Sequence, residues 1–288
     1  MDRSFTVKAP AKINLGLKVI RRRPDGFHEL ETVMQQVSLA DTLFFEPAPG
    51  KGRHFFCTER SLAGPENLVS RAALLLEQEA GRPLPGVRIT LYKNIPVEAG
   101  LGGGSSDGAA ALAGLNHFWN LGLDGETLQE LGLRLGSDVP FCLRGGTALA
   151  GGRGEKLEPL PPLPFFWAVL ALPGNIKMST ALVYDNFDRS KLGEPSLNEL
   201  VEAVRQGSRV KILEWLAGDF TNTLETAVVE GAGTLQKTKR KLQEKGLRPV
   251  LSGSGPALFI LTPDYNRAFK AARMIEEENC RAYLCWTL

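Results

Sequence analysis

The sequence predicts an α+β protein of two domains. Strand and helix patterns are mixed along the chain without the regular alternation that is typical of a doubly wound parallel sheet. The length of 288 residues fits two domains, since domains hold about 150 residues each. A proline-rich stretch at 156–164 (KLEPLPPLP) is typical of a boundary. We therefore expect an N-terminal domain at 1–160 and a C-terminal domain at 161–288.

The N-terminal half begins with strands and then mixes strands with helices. Alternating or β-branched residues predict strands at 4–10, 12–20, 31–39, 41–47 and 86–94. Helical patterns predict helices at 67–81, 107–119 and 124–136. In the first of these helices the apolar residues share one face, and Gly81 is a typical end signal.

The C-terminal half gives a second mixed pattern. The apolar run at 165–173 predicts a buried strand, and helical patterns follow at 196–207 and 233–246. The chain then predicts strand, helix and strand at 249–261, 264–278 and 280–288. No internal repeat interrupts this order.

Composition narrows the class of protein. Hydrophobic residues make up 43% and charged residues 23% of the chain, as in ordinary globular proteins. The formal net charge of +2 argues against a dedicated nucleic-acid-binding protein. The four cysteines form no C-x-x-C pair, which favours reduced, buried thiols. With no apolar leader and no apolar run of about 20 residues, we expect a cytoplasmic protein that does not enter a membrane.

A glycine-rich segment at 96–112 (PVEAGLGGGSSDGAAAL) lies between a predicted strand and a predicted helix. This arrangement is typical of phosphate binding, because backbone N–H groups and the helix N-terminus attract anions. Ser105 and Ser106 could cap the helix, donate to a phosphate oxygen or help to hold Mg²⁺. The segment has neither the Gly-Lys-Ser/Thr of a Walker loop nor the G-x-G-x-x-G of a dinucleotide loop. A tight helix–strand junction remains the structural alternative.

Three segments together resemble one superfamily. The glycine-rich segment resembles the second motif of the galactokinase, homoserine kinase, mevalonate kinase and phosphomevalonate kinase superfamily, with one extra glycine. The segments 9–19 (APAKINLGLKV) and 251–259 (LSGSGPALF) resemble its first and third motifs, and all three occur in the expected order. The resemblance implies a two-domain small-molecule kinase fold. Its N-terminal domain would be ribosomal protein S5 domain 2-like and its C-terminal domain ferredoxin-like.

Within that superfamily, further features resemble the 4-diphosphocytidyl-2-C-methyl-D-erythritol kinases of the non-mevalonate isoprenoid pathway. These features are 21–32 (RRRPDGFHELET), 135–143 (LGSDVPFCL) and the extra glycine. The resemblance implies that ATP, with Mg²⁺, phosphorylates the 2-hydroxyl of a small cytidine diphosphate-linked methylerythritol substrate. No metal ligand from the protein is identified, and Mg²⁺ would be held mainly by the ATP phosphates and water. The assembly would be a monomer or a homodimer.

The resemblance also implies residue roles. Asp138 would be the general base, and Lys12 would keep it ionised and stabilise the charge on the transferred group. Without the resemblance, the sequence pattern predicts that Asp138 is a turn or cap residue and that Lys12 is an exposed strand lysine. The ATP site would be formed by Asn67, Lys93, Pro96, Val97, Glu98, Ala99, Gly100, Leu101, Gly102, Gly103, Gly104, Ser105 and Ser106. For Asn67 a helix cap is the alternative, and for Lys93 an exposed strand end.

The substrate site would use five residues. Asn14, on the same strand face as Lys12, would contact the substrate hydroxyl or a phosphate oxygen. Phe27 would stack on cytosine, His28 would hydrogen-bond the edge of the base, and Tyr184 would cover its other face. Thr180 would touch the substrate. The family usually has tyrosine at position 27, so this chain keeps the stacking face and lacks the hydroxyl.

Three other functions compete with this hypothesis. A homoserine or mevalonate kinase would share the three motifs but would have no use for the cytosine-binding segment 23–30 (RPDGFHEL). A regulatory protein that kept the fold without catalysis is opposed by the presence of Lys12 and Asp138. A binding module that does not use ATP is opposed by the ordered glycine motifs.

Overall fold

The computed structural model describes residues 4–174, 180–187, 196–218, 221–227 and 232–288. Contacts between Cα atoms divide the chain into two compact units that interleave along the sequence. Unit 1 comprises residues 1–11, 40–97 and 102–145, and unit 2 comprises 12–39, 98–101 and 146–288. This division differs from the single boundary at residue 160 that the sequence predicts. The reason is that two long strands, β1 (Phe5–Arg22) and β2 (His28–Lys51), contribute residues to both units.

Unit 1 combines strands with a layer of helices. The C-terminal half of β2 pairs antiparallel with β4, with Thr42 opposite Tyr92, and β4 pairs parallel with β3, with Val87 opposite Arg53. The remaining elements of the unit are β3 (Arg53–Cys57), α1 (Leu68–Ala80), β4 (Pro85–Tyr92), α2 (Gly103–Phe118), α3 (Gly125–Leu135) and α4 (Val139–Arg144). Short 3-10 turns lie at Arg60–Leu62 in this unit and at Thr223–Thr226 in unit 2.

The core of unit 1 lies between its strands and its helices. Phe45 and Leu91 from the strands pack with Leu76 of α1, Leu115 of α2 and Val139 of α4. The alanine-rich run of α2 is buried over much of its length, because small side chains let a helix lie close to its neighbours. This packing fixes the N-terminal end of α2, where the glycine-rich segment enters the helix.

Unit 2 contains two sets of paired strands. The N-terminal half of β2 pairs antiparallel with β5, with Thr32 opposite Ala150, and β5 pairs antiparallel with β6. The second sheet has the order β10-β7-β9-β8, and its neighbours are all antiparallel. These strands are β5 (Thr147–Gly151), β6 (Lys156–Pro159), β7 (Trp167–Pro173), β8 (Val250–Leu251), β9 (Leu258–Thr262) and β10 (Cys280–Trp286).

Two helices, α8 (Ala232–Glu244) and α9 (Tyr265–Glu277), pack on the second sheet and complete the core of unit 2. That core holds Val169 of β7 and Leu258 of β9 together with Ile275 of the last helix. The helices of unit 2 are α5 (Thr180–Asp185), α6 (Asn198–Arg205), α7 (Arg209–Leu216), α8 (Ala232–Glu244) and α9 (Tyr265–Glu277).

Most predicted elements are present, and the differences have local causes. Helix α1 begins after its cap Asn67 and ends at Gly81, which has φ +58°, as its sequence predicts. Helix α2 begins at Gly103, four residues before the predicted start, because burial of its other face outweighs the low helix propensity of glycine. Helix α4 was not predicted, since six residues are too few to show helical periodicity.

In the part of the chain that the structure describes, no helix combines the length and the hydropathy needed to cross a membrane.

Candidate active site

The first turn of α2 forms the unit 1 side of the glycine-rich segment. Gly102 is the N-cap, with φ +67° and no side-chain capping bond, so neither Ser105 nor Ser106 caps the helix. The Ser106 hydroxyl donates to the carbonyl of Pro10 at 2.7 Å. At Gly104, a Cβ atom would meet no atom within 4 Å. The first N–H groups of a helix have no partner within the helix, so this turn offers donors beside an open space.

The start of the same segment lies in unit 2 and packs against the third motif. A Cβ atom at Gly100, which has φ +77°, would lie 2.4 Å from the carbonyl oxygen of Ser252. The Ser252 hydroxyl donates to the carbonyl of Gly100 at 3.1 Å, and the N–H of Ala257 donates to the carbonyl of Ala99 at 3.0 Å. Glycine is therefore required at position 100 by the fold itself.

The remaining predicted loop residues divide by burial. Ala99 and Leu101 are buried, whereas Val97 is exposed. Pro96 directly precedes Val97 in the loop. Glu98 has φ +56°, an uncommon backbone conformation for a residue with a side chain. The carbonyl of Leu101 accepts from the N–H of Lys12 at 2.9 Å, which ties the loop to β1 within unit 2.

Lys12 and Asn14 lie together on β1, as the two-residue strand period predicts. Lys12 is 6% exposed, so the alternative of an exposed strand lysine is wrong. Its Nζ donates to Asn14 Oδ1 at 2.8 Å, and Asn14 Nδ2 donates to the hydroxyl of Thr32 at 2.8 Å. That hydroxyl in turn donates to the carbonyl of Gly16 at 2.7 Å. The chain of bonds fixes the position of a buried cationic group.

Asp138 lies in unit 1, immediately before α4. It occupies the N-cap position, but its side chain makes no capping hydrogen bond to that helix. Pro140 lies in the first turn of this helix, where a backbone N–H would have no partner within the helix. Its role as general base stays a prediction.

Lys93 lies just after β4 and is not an exposed strand end. Its Nζ donates to Asp41 Oδ2 at 2.5 Å and to Asp107 Oδ2 at 2.7 Å. Burial alone would lower the pKa of Lys93, but the two carboxylates raise it above its ordinary value. Sequence reasoning did not identify Asp41, although a single carboxylate within an apolar strand pattern was a visible signal.

Asn67 caps α1, which was the structural alternative for this residue. Its Oδ1 accepts from the N–H of Val69 at 2.9 Å and its Nδ2 donates to the carbonyl of Leu62 at 2.9 Å. Its contact with a nucleotide stays a prediction.

The residues predicted to bind cytosine lie in unit 2. The ring of His28 lies 5.2 Å from that of Tyr184 and 6.4 Å from that of Phe187. Burial lowers the pKa of His28, and the charge of Arg22 adds to this effect. His28 is therefore mainly neutral at pH 7, so its ring has one hydrogen-bond donor and one acceptor.

Two further predicted residues have polar or cationic neighbours. Phe27 is 53% exposed, and the guanidinium of Arg153 lies 4.7 Å from its ring centroid. The Oγ1 of Thr180 lies 2.9 Å from the hydroxyl of Ser254, which belongs to the third motif. Sequence reasoning missed Arg153, because cation–π pairs between distant residues leave no local pattern.

The described residues contain no cluster of three or more His, Cys, Asp or Glu side chains that could hold a metal ion.

Comparisons with known proteins show which family the chain resembles over nearly its whole length. The model of the GHMP kinases N terminal domain matches residues 67–146. The chain is 42% identical over 271 residues to 4-diphosphocytidyl-2-C-methyl-D-erythritol kinase of Listeria innocua, covering 92% of this chain and 89% of that protein. It is 43% identical over 282 residues to the enzyme of the same name from Moorella thermoacetica, covering 95% of each.

A solved structure gives the same relationship. The crystal structure of a 4-(cytidine 5'-diphospho)-2C-methyl-D-erythritol kinase matches with a TM-score of 0.82 and 38% identity, covering 98% of this chain and 99% of that one. The predicted two-domain small-molecule kinase fold is thereby confirmed. Identity at this level over nearly the whole chain shows that the protein belongs to the 4-diphosphocytidyl-2-C-methyl-D-erythritol kinase family of GHMP kinases.

Proposed function

We propose that the protein transfers the γ-phosphoryl group of ATP to the 2-hydroxyl of 4-diphosphocytidyl-2-C-methyl-D-erythritol. The observation that carries this proposal is the first turn of α2, where Gly104 leaves open space. The first N–H groups of a helix have no partner within that helix. Neither backbone conformation nor protein packing requires glycine at this position. The presence of glycine at position 104, within a helix, is therefore best explained by the close approach of phosphate groups.

In the proposed reaction, the oxygen of the substrate 2-hydroxyl attacks the γ-phosphorus, and Asp138 accepts the proton of that hydroxyl. The bond between the γ-phosphorus and the β,γ-bridging oxygen breaks, and ADP leaves. Lys12 supplies positive charge for the transferred group, and the bonds from Asn14 and Thr32 keep its ammonium in place. Mg²⁺ bound to the ATP phosphates would neutralise their charge.

The cytidine part of the substrate would bind near His28. A neutral imidazole can donate to or accept from the edge of cytosine, and Tyr184 and Phe27 supply aromatic faces. Arg153 would hold the exposed Phe27 ring by its cation–π contact. Thr180, whose hydroxyl pairs with that of Ser254 in the third motif, would contact the substrate.

Several finer points stay proposals from the sequence. They are the places of Asn67 and Lys93 in the ATP site, the use of Mg²⁺, a cytoplasmic location and a monomer or homodimer as the state of assembly.

An assay with the purified protein tests the proposed function. With ATP and Mg²⁺ we expect ADP release that depends on 4-diphosphocytidyl-2-C-methyl-D-erythritol, and no release above background with homoserine or mevalonate. Turnover of homoserine or mevalonate without turnover of the cytidine compound would refute the proposal. ADP release without any acceptor would indicate hydrolysis and would have to be subtracted.

A further inference from the structure

Unit 1 contains a buried group of three ionisable side chains, Asp41, Lys93 and Asp107, which we call the carboxylate–lysine triad. The side chains of these residues are 0%, 8% and 3% exposed respectively. One ammonium lies between two carboxylates, at 2.5 Å from one and 2.7 Å from the other. If all three groups are ionised, the triad has a net charge of −1 inside the protein.

The triad connects three separate parts of unit 1. Asp41 lies on β2, Lys93 follows β4, and Asp107 lies in the second turn of α2. Asp41 Oδ1 also accepts from the backbone N–H groups of Asn94 at 2.5 Å and Ile95 at 2.8 Å. These bonds fix the short segment that leads from β4 into the glycine-rich segment.

The short segment after β4, which contains Lys93 and Ile95, packs directly on the first turn of α2. A Cβ atom at Gly103 would lie 3.0 Å from Ile95 Cγ2 and 3.4 Å from Lys93 Nζ. The bonds of the triad and this close packing therefore hold the helix start from two sides. Gly104, with its open space, is the next residue.

A purely structural role does not account for the triad. Buried ion pairs often contribute no more stability than apolar residues of the same volume, since each charge loses its hydration. Among the described residues, Asp107 Oδ1 is buried without a hydrogen-bond partner, which costs further free energy. Burial, together with the nearby Asp41 carboxylate, raises the pKa of Asp107 to about 8 although Lys93 acts in the opposite direction. An arrangement with these costs is better explained by the geometry that it enforces.

We propose that the carboxylate–lysine triad positions the first turn of α2 for binding the phosphates of ATP, and that Lys93 acts through the triad. This inference rests on the proposed use of ATP. It assigns Asp41 and Asp107 as positioning residues. Their carboxylates are engaged with Lys93 and with the segment before the loop, and neither is expected to touch the nucleotide.

Substitution of Asp41 distinguishes a positioning role of Lys93 from its direct contact with the nucleotide. If Lys93 binds the nucleotide itself, removing its ammonium weakens ATP binding and the isosteric change Asp41→Asn has little effect. If the triad acts as a unit, Asp41→Asn and Lys93→Met weaken ATP binding to a similar degree. The double variant is then little worse than either single variant, because coupled residues are not additive.

Equilibrium binding of MgATP, measured by calorimetry without any acceptor, tests the proposal. We expect Asp41→Asn, Lys93→Met and Asp107→Asn each to raise the Kd of ATP about tenfold, equivalent to about 1.4 kcal/mol. The Kd of the cytidine substrate should stay within about twofold of wild type. Glu46→Gln is the matched control, because it removes the exposed Arg88–Glu46 pair between the same strands, β2 and β4, and should leave both Kd values unchanged.

Other results would overturn the inference. Wild-type ATP affinity in Asp41→Asn with weak binding in Lys93→Met would assign Lys93 as a direct contact. Equal weakening of ATP and cytidine-substrate binding would indicate general damage to the fold, which thermal unfolding of each variant also reports. The two isosteric Asp→Asn variants decide the question if Lys93→Met does not fold. Failure of the wild-type protein to bind ATP would refute the proposed function and this inference with it, whereas unchanged variants of an ATP-binding wild type would refute the inference alone.

Discussion

At the scale of single residues, burial decides what Lys12 can do. A lysine on a strand is ordinarily exposed, whereas this one is buried and its ammonium is fixed by Asn14. A cation in a site of low polarity acts more strongly on nearby charge than one in water. Asp138 also differs from what its position predicts. It occupies the N-cap position of α4, but its side chain makes no capping bond to that helix.

The variant Asp138→Asn tests the role of that carboxylate. An amide has the same shape but cannot accept the hydroxyl proton, so we expect kcat to fall by about 10²–10⁴-fold. The Kd of ATP should stay within about twofold. Asp124→Asn is the control, because Asp124 is a true N-cap, of α3, and its loss should lower stability and leave kcat unchanged. Near wild-type kcat in Asp138→Asn would remove the general-base assignment.

The variant Phe27→Ala tests stacking on cytosine. Stacking of a base on an aromatic ring contributes about 1–3 kcal/mol, so we expect the KM of the cytidine substrate to rise at least about fivefold. The KM of ATP should change by less than about twofold. Phe56 on β3 has the same 53% exposure as Phe27, and Phe56→Ala should alter neither KM. An equal rise of both KM values in Phe27→Ala would contradict the stacking role.

At the scale of elements, glycines of the glycine-rich segment are explained by different physical reasons. Gly100 is required by its backbone conformation and by the close approach of Ser252. Gly104 has helical geometry and open space, so the protein alone would accept alanine there. The glycines of the segment thus have two different explanations, the third motif at Gly100 and the proposed phosphates at Gly104.

The variant Gly104→Ala should therefore separate stability from binding. Alanine is favoured over glycine in a helix by up to about 1 kcal/mol, so the free energy of unfolding should rise while the affinity for ATP falls. Gly233, near the start of α8, also has open space around it. Gly233→Ala should raise stability without any change in ATP affinity. Wild-type ATP affinity in Gly104→Ala, measured in the same titration, would contradict a phosphate at this turn.

At the scale of the whole molecule, one buried carboxylate should influence the pH dependence of stability. The pKa of Asp107 is raised to about 8 by burial and by Asp41, from an ordinary value of 3.8. Between these two values the folded protein holds a proton that the unfolded chain has released. Stability therefore falls as the pH rises through this window, and the loss is complete above the folded pKa.

Denaturant titrations of wild type and Asp107→Asn at pH 5 to 8 test this expectation. The free energy of unfolding of wild type should fall relative to the variant, by at most about 1.4 kcal/mol per pH unit for one proton. The other groups that interact with Asp107 are Lys93, Asp41 and Cys57, and burial raises the pKa of the Cys57 thiol above this pH range. In Asp124→Asn the difference from wild type should not vary over pH 5 to 8, because the pKa of Asp124 is lowered in the folded protein. A constant difference between wild type and Asp107→Asn would contradict a raised pKa at Asp107.

Sequence patterns were sufficient for most elements and for part of the site. The period of two residues on β1 placed Lys12 beside Asn14, and their hydrogen bond confirms it. The start and end signals at Asn67 and Gly81 gave the bounds of α1. The three motifs indicated the kinase superfamily, and relatives at 42% and 43% identity confirm the narrower family.

The sequence by itself determined the family, the glycine-rich segment and the chemical types of the candidate residues, because these are carried by local patterns and motif order. Only the tertiary structure decided which charges are buried together. It brought Asp41, Lys93 and Asp107 into contact and placed Arg153 over Phe27. These residues lie far apart in the chain, and their interaction depends on how strands and helices pack, for which no local pattern exists.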